Sequence, residues 1–305
     1  MNLEIFWMRH AISCNNIMTR NQKIDNFYKL KDPSILLEAI LLIIEMRIFL
    51  PNKMKKCKLV FCSEMTRTIQ TAIFNFPTHF IKGKIKIIKG INEFSSKYDI
   101  GGGNVPQKNV SNLKEQLKYS IIFLYRFVKE SKEENYKGFP LFKYLDKCKD
   151  IDNILSKLIN NLYSDINNKV FDNLIKLREE EDNVIDCLNN YLKPKKISSI
   201  AIISHSKYIK NKILKNNNAF LHLIRSNKKQ IYNNQILHKK YIKNTDDEIK
   251  IVEKIYPYGC IFNNKKINCF YNNNSLYKYG IYTKNKKKNK AETFKKISMK
   301  INNKN

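Results

Sequence analysis

The string Met8-Arg9-His10-Ala11-Ile12-Ser13-Cys14-Asn15-Asn16 follows directly on an apolar run, residues 3–8. A histidine at the end of such a run, with a guanidinium beside it and small polar residues just beyond, has the makings of a nucleophile in an anion pocket. Two later strings give this one its meaning. The first is Val60-Phe61-Cys62-Ser63-Glu64-Met65-Thr66-Arg67-Thr68-Ile69-Gln70-Thr71-Ala72, which reads as a strand, a turn and a helix whose first turn carries Arg67. The second is Ile200-Ala201-Ile202-Ile203-Ser204-His205-Ser206, a buried-type strand that ends on another histidine. Parallel strands put their C-terminal ends on one sheet edge, where folds of this kind bind ligands. Arg9, His10, Arg67 and His205 are therefore expected to converge. Two guanidiniums and two imidazoles suit a doubly charged tetrahedral anion, a phosphoryl group above all.

The elements that must position these residues alternate in the first part of the chain. Strand patterns at 3–8, 59–62 and 85–89 are separated by helical patterns at 34–50 and 66–76. Such alternation predicts an α/β fold, a three-layer sandwich with a central, mostly parallel sheet flanked by helices. Glu38 and Glu45, seven apart, mark one face of the first helix as its solvent side. From 111 to 192 the strand signal disappears. Apolar spacing in Leu117-Ile121-Leu124-Phe127, Ile154-Leu158-Leu162 and Phe171-Leu174-Leu177 predicts helices there, and the stretch of about 104–195 reads as a helical insertion in a single domain of residues 1–282. Strand patterns return at 199–204, 258–262, 267–271 and 277–282. Residues 283–305 hold nine Lys and one Glu, a net charge of +8, and read as a disordered basic tail.

The chain has 305 residues, enough to bury a sizeable core, and a formal net charge of +30 from 57 Lys+Arg against 27 Asp+Glu. A field of that sign draws phosphorylated molecules, nucleic acid or anionic membrane. The chain is also rich in Asn, Ile and Tyr, which share A- and T-rich codons with Lys. The basicity is therefore read mainly as compositional drift, since a nucleic-acid reader gathers its charge in one patch. Weak polyanion binding through the Lys-rich tail is the one partner reading it supports besides a phosphorylated substrate; it leaves the oligomeric state open. Seven cysteines, an odd number without a C-x-x-C pair, suggest neither a disulfide framework nor a zinc site, so a reducing, cytoplasmic setting is expected. No secretory signal and no membrane-spanning segment is read, because the longest apolar run carries Glu38, Glu45 and Arg47.

In their order, the three strings resemble those of the histidine phosphatase superfamily, also called phosphoglycerate mutase-like. Members carry strand-R-H-G-x-[ST]-x-x-N, then S-x-x-x-R-x-x-x-T-A, then an acidic residue after the next strand, and lastly [GS]-H at a strand end. Arg9, His10, Ser13 and Asn16 match the first motif; Ser63, Arg67, Thr71 and Ala72 match the second; Ser204-His205 match the last. Glu93 in Ile91-Asn92-Glu93-Phe94 takes the acidic position, with Asp99 close by as the alternative. The resemblance covers roughly 1–103 and 196–215. Ala11 and Ser206 depart from it, standing where Gly is usual, and Ala11 adds a methyl group where backbone approaches phosphate.

The resemblance implies that His10 attacks phosphorus to form a phosphohistidine, which water then hydrolyses, and that Glu93 handles the leaving-group proton. Arg9, Arg67, His205 and Asn16 would supply donors to the equatorial oxygens, and Ser13 either joins them or caps the following helix. A backbone carbonyl on the second ring nitrogen of His10 would fix its tautomer. No metal and no cofactor is implied. The stretch Glu93-Phe94-Ser95-Ser96-Lys97-Tyr98-Asp99 lacks the Glu-Arg-His-Tyr-Gly of cofactor-dependent mutases, which favours hydrolysis over a phosphoglycerate mutase-type transfer. A catalytically weak phosphate- or polyanion-binding protein is the remaining alternative. His79, His222 and His238 fit no motif, and Gly101-Gly102-Gly103 reads as a hinge.

Overall fold

A computed structural model of the chain describes residues 2–13, 16, 32–92, 110–131, 136, 138–171, 181–213, 231–243, 249–256, 258–263, 266–271 and 275–279. Strand β1 (Asn2–Arg9) is followed by helix α1 (Leu37–Met46), strand β2 (Leu59–Cys62), helices α2 (Thr66–Asn75) and α3 (Pro77–Ile81), and strand β3 (Ile85–Ile87). Four more helices follow, α4 (Val110–Ser131), α5 (Pro140–Leu145), α6 (Ile151–Leu162) and α7 (Glu181–Leu192), before strand β4 (Ser199–Ser204). The last strands are β5 (Ile236–Lys243), β6 (Ile249–Tyr256), β7 (Tyr258–Asn263), β8 (Lys266–Tyr271) and β9 (Ser275–Tyr279).

Six strands form one sheet in the order β3-β2-β4-β1-β5-β6. The four β3, β2, β4 and β1 are mutually parallel, while at the other side β5 runs antiparallel to β1 and β6 antiparallel to β5. The expected mostly parallel α/β sandwich is what the chain adopts. β4 enters between β1 and β2, which the chain had left apart, and this crossover point is where open α/β sheets bind ligands.

Side chains alternate across the sheet with the period of two that strand geometry imposes. Phe6, Met8, Val60, Cys62, Ala201 and Ile203 enter one core, and Leu3, Ile5, Trp7, Phe61, Ile200 and Ile202 the other. The first core is closed by α1, α2, α4, α5 and α6, the second by Val184, Ile185, Leu188 and Leu192 of α7 together with Tyr208. Burial on both faces explains the near-continuous apolar runs of β2 and β4. α1 starts later than the 34–50 pattern predicts, because Ile35 is held extended: it bridges Ser13 and donates its N–H to the Gln70 side chain. The expected solvent side of α1 is only half-exposed, and Glu45 there accepts a hydrogen bond from the buried Tyr136 hydroxyl.

β7, β8 and β9 form a separate antiparallel meander, tied to the main body by paired backbone hydrogen bonds between Asn233 and Cys260. Cys260 is disulfide-bonded, and Cys269 stands directly opposite it in the β7–β8 register. One bonded cysteine makes no framework, but it departs from the fully reduced setting expected from the cysteine count. Nine residues apart in sequence, the two look unrelated; a tight hairpin makes them neighbours. Glu93, Asp99, the glycine run, His222, part of the Phe171-Leu174-Leu177 pattern and the basic tail lie outside the described residues.

Candidate phosphoryl-binding site

The histidines meet because of strand register. Arg9 pairs with Ser204 across parallel β1 and β4, so the residues that follow, His10 and His205, leave the sheet side by side at its C-terminal edge. Neighbouring strands lie about 4.8 Å apart, and the two imidazole centroids are 5.1 Å apart. β2 pairs Cys62 with Ile203, which brings Ser63 to the same edge. α2 begins three residues later and sends Arg67 back between the rings. Its Nε lies 3.3 Å from His10 Nε2, and its Nη2 lies 3.3 Å from His205 Nδ1. Arg67 is 1 % exposed, His10 3 % and His205 0 %.

Both tautomers follow from chemistry, because a guanidinium only donates. His10 Nε2 must therefore be the bare nitrogen, and His10 Nδ1–H donates to the Ala11 carbonyl at 2.7 Å. That carbonyl is the partner the sequence reading asked for. His205 Nδ1 must likewise be bare toward Arg67, so its Nε2–H donates to Ser63 Oγ at 2.8 Å. Ser63 in turn donates to Thr68 Oγ1 at 2.8 Å, whose hydroxyl donates to the carbonyls of Met65 and Ser63. Burial, then Arg67, then Arg9 push the His10 pKa well below the usual imidazole value, against the Ala11 hydrogen bond. His205 is lowered well below it too, by burial first and then by Arg67, His10 and Arg9. Two neutral imidazoles thus flank a buried cation.

Arg9 completes the positive field while its Nη1 donates to the Ile231 carbonyl. The loop before β5 wraps this end of β1: Asn234 N donates to Arg9 O, and Asn233 Nδ2 donates to His10 O at 2.9 Å and lies 3.3 Å from Asn16 Oδ1. Asn16 Oδ1 also accepts from the Ser13 backbone N–H and hydroxyl. Ser13 thus faces Asn16, as a residue fixing the turn does. Ala11 gives its N–H to Thr71 Oγ1 and lies in the main core, so its methyl group is packed among apolar side chains.

A cation in the first turn of a helix faces the positive end of the helix dipole, and the sequence reading sought an anion there. Part of that role falls to Asp32, whose carboxylate accepts from the Thr66 N–H and hydroxyl at the start of α2. Sequence reasoning missed Asp32 and Asn233. Both lie far along the chain from the motifs, and the only local signal is that Asp and Asn tolerate the positive φ found at Asp32 and Asn234.

Glu64 is a further carboxyl at this edge, next to Ser63. It accepts from Asn92 Nδ2 at 3.0 Å, and burial raises its pKa against the opposing effects of Asn92 and Lys89. Asn92 is the last described residue before Glu93, which lies outside the described residues. Among the described residues no group of three or more His, Cys, Asp or Glu stands where it could hold a metal ion, and no helix is long and apolar enough to cross a membrane.

No family profile and no curated protein matches the chain. Among solved structures it is similar to a phosphoserine phosphatase variant from Entamoeba histolytica in complex with phosphoserine, at 14% identity and a TM-score of 0.39, over 83% of this chain and 96% of that one. It is also similar to phosphoglycerate mutase from Bacillus anthracis, at 12% identity and a TM-score of 0.38, over 83% and 92%. A mycobacterial glucosyl-3-phosphoglycerate phosphatase is 9% identical with a TM-score of 0.40, over 84% and 98%.

Proposed function

We propose that the chain is a histidine phosphatase-type enzyme, a phosphomonoester hydrolase that works through a phosphohistidine on His10. The observation that carries this reading is the His10 ring itself: Nδ1–H is anchored on the Ala11 carbonyl, and the bare Nε2 faces Arg67 beside His205. A neutral imidazole fixed in that tautomer is a nucleophile at neutral pH.

The substrate phosphoryl group displaces the Arg67–His10 hydrogen bond and takes the guanidinium for its own oxygens. The Nε2 lone pair of His10 then forms a bond to phosphorus as the ester P–O bond breaks, and a carboxylic acid gives its proton to the leaving oxygen. Arg67 and Arg9 balance the charge spread over the equatorial oxygens. In the second step water attacks phosphorus, the same carboxylate takes the water's proton, and the P–N bond returns its pair to Nε2. The products are an alcohol and inorganic phosphate. Glu93 is our assignment for the carboxyl, on the motif position it takes in the sequence. Hydrolysis is preferred to mutase-type transfer because the residues after Glu93 lack the mutase string.

Turnover of an aryl phosphate by the wild type and three variants tests the assignment. His10→Ala should lower kcat by about a thousandfold or more. Glu93→Gln should lower it by about a hundredfold for a poor leaving group, and less for an activated aryl ester that needs no proton. Glu64→Gln should act more weakly on both esters alike. Full activity in folded His10→Ala would overturn the reading.

A further inference from the structure

A second cavity, of about 390 Å³, opens at the opposite end of α2. Arg67 starts that helix at the C-terminal sheet edge, whereas Asn75 ends it near the residues that lead into β2 and β3, at the N-terminal edge. Eight residues at about 1.5 Å each put roughly 12 Å of helix between them. The cavity is therefore separate from the pocket of His10.

Its lining is cationic. Arg47, Lys55, Lys56, Lys82 and Lys84 face it, and no Asp or Glu is among its lining residues. None of these five makes an ion pair among the described residues; Lys55 spends its ammonium on the Ile48 carbonyl, and Arg47 lies over the Phe139 ring. Five like charges around one hollow repel one another, and that cost is relieved when an anion sits among them. Two buried polar atoms of the lining residues add to this. Arg47 Nε is buried without a hydrogen-bond partner. Asn75, only 3 % exposed, gives its Nδ2 to the Thr71 carbonyl, which leaves its buried Oδ1 unpartnered. A donor and an acceptor left unpartnered on two residues of one wall suit a ligand that supplies both an acceptor and a donor. The guanidinium asks for an anionic oxygen, and the amide oxygen asks for a hydroxyl or amino donor.

We propose that this cavity is a second binding site that takes a small phosphorylated molecule bearing hydroxyl or amino groups, a sugar phosphate or a nucleotide. Phosphate oxygens lie among Arg47 and the lysines, and a donor of the same molecule reaches Asn75 Oδ1. His79, whose ring nitrogen is engaged with the Cys57 carbonyl, forms part of the wall.

Calorimetric titration of the full chain tests this, with His10→Ala as background to prevent turnover. The probes are adenosine 5′-monophosphate, ribose 5-phosphate and inorganic pyrophosphate. The comparison variant adds Lys56→Ala, Lys82→Ala and Lys84→Ala, three exposed positions whose truncation leaves the core intact. If both pockets bind, the stoichiometry falls from two to one in the lysine variant; if only the new site exists, it falls from one to none. An unchanged stoichiometry in that variant overturns the proposal, whatever becomes of the pocket at His10. Asn75→Ala should weaken the two organic phosphates about tenfold and leave pyrophosphate unaffected. Equal loss for all three probes in a folded Asn75→Ala chain would overturn the role of the amide oxygen. Whichever organic phosphate binds tighter separates a nucleotide from a sugar phosphate.

Discussion

Arg67 decides the protonation pattern of the site, because a group that only donates forces a bare nitrogen on each histidine it touches. For His10 this frees the nucleophile. For His205 it has a different consequence: the N–H is spent on Ser63, so the ring donates to a phosphate oxygen only after gaining a proton at Nδ1. Both histidines are held well below the usual imidazole pKa by burial and by Arg67, and are neutral in the free protein at neutral pH. The proton must then arrive with the substrate, whose second ionisation lies near pH 6, at about the value for phosphate monoesters. On this account kcat/KM falls by about tenfold per pH unit above that value and shows no acid limb at the ordinary imidazole pKa. A steady-state pH profile from 5 to 8.5 checks it. A rate that rises with pH through 6.5 would mean that His10 titrates as an ordinary imidazole, which contradicts the buried arrangement.

At the scale of elements, three strand ends and one helix start assemble the site, and the loop before β5 locks it. Asp32 serves the start of α2 as an N-cap does. Asp32→Ala should cost about 0.5–2 kcal/mol of stability, read from the urea midpoint; no change would mean that the Thr66 hydrogen bonds carry no weight. Asn233→Ala removes a donor from the buried carbonyl of His10. It should destabilise by about 1–3 kcal/mol and lower kcat more than it raises KM, since the ring that moves is the proposed nucleophile. Much of this framework was legible. β2 and β4 run over 59–62 and 199–204 as their apolar runs predict, because strands buried on both faces have no polar interruptions. β5 was not legible. Its Lys-rich string looks solvated, yet Lys239 is 2 % exposed and gives its ammonium to the Ile213 carbonyl. Asn233 was hidden by composition, one Asn in a chain crowded with them. The convergence of Arg9, His10, Arg67 and His205 was readable because each stands at the end or start of an element that sequence patterns mark well.

Taken as a whole, the molecule keeps two neutral histidines and a buried guanidinium at a sheet edge, and that arrangement links stability to pH. Unfolded histidines take up protons near pH 6.5, whereas His10 and His205 in the fold do so only at lower pH. The unfolded chain therefore binds more protons below 6.5, so the stability present above that pH is lost as pH falls, by up to about 1.4 kcal/mol per unit for each histidine. Urea midpoints at pH 7.5 and 5.5 should fall less in His205→Asn than in the wild type; parallel losses would contradict the linkage. The same neutral, anchored His10 is the centre of the functional proposal, and its product on the enzyme can be caught. The most direct measurement is to mix the chain with a phosphomonoester, quench in alkali, where phosphohistidine survives, and locate the phosphoryl group by peptide mass. The account predicts one phosphoryl group on the peptide that contains His10 and none in His10→Ala. Turnover without a phosphorylated His10, or a phosphoryl group on another residue, would contradict it.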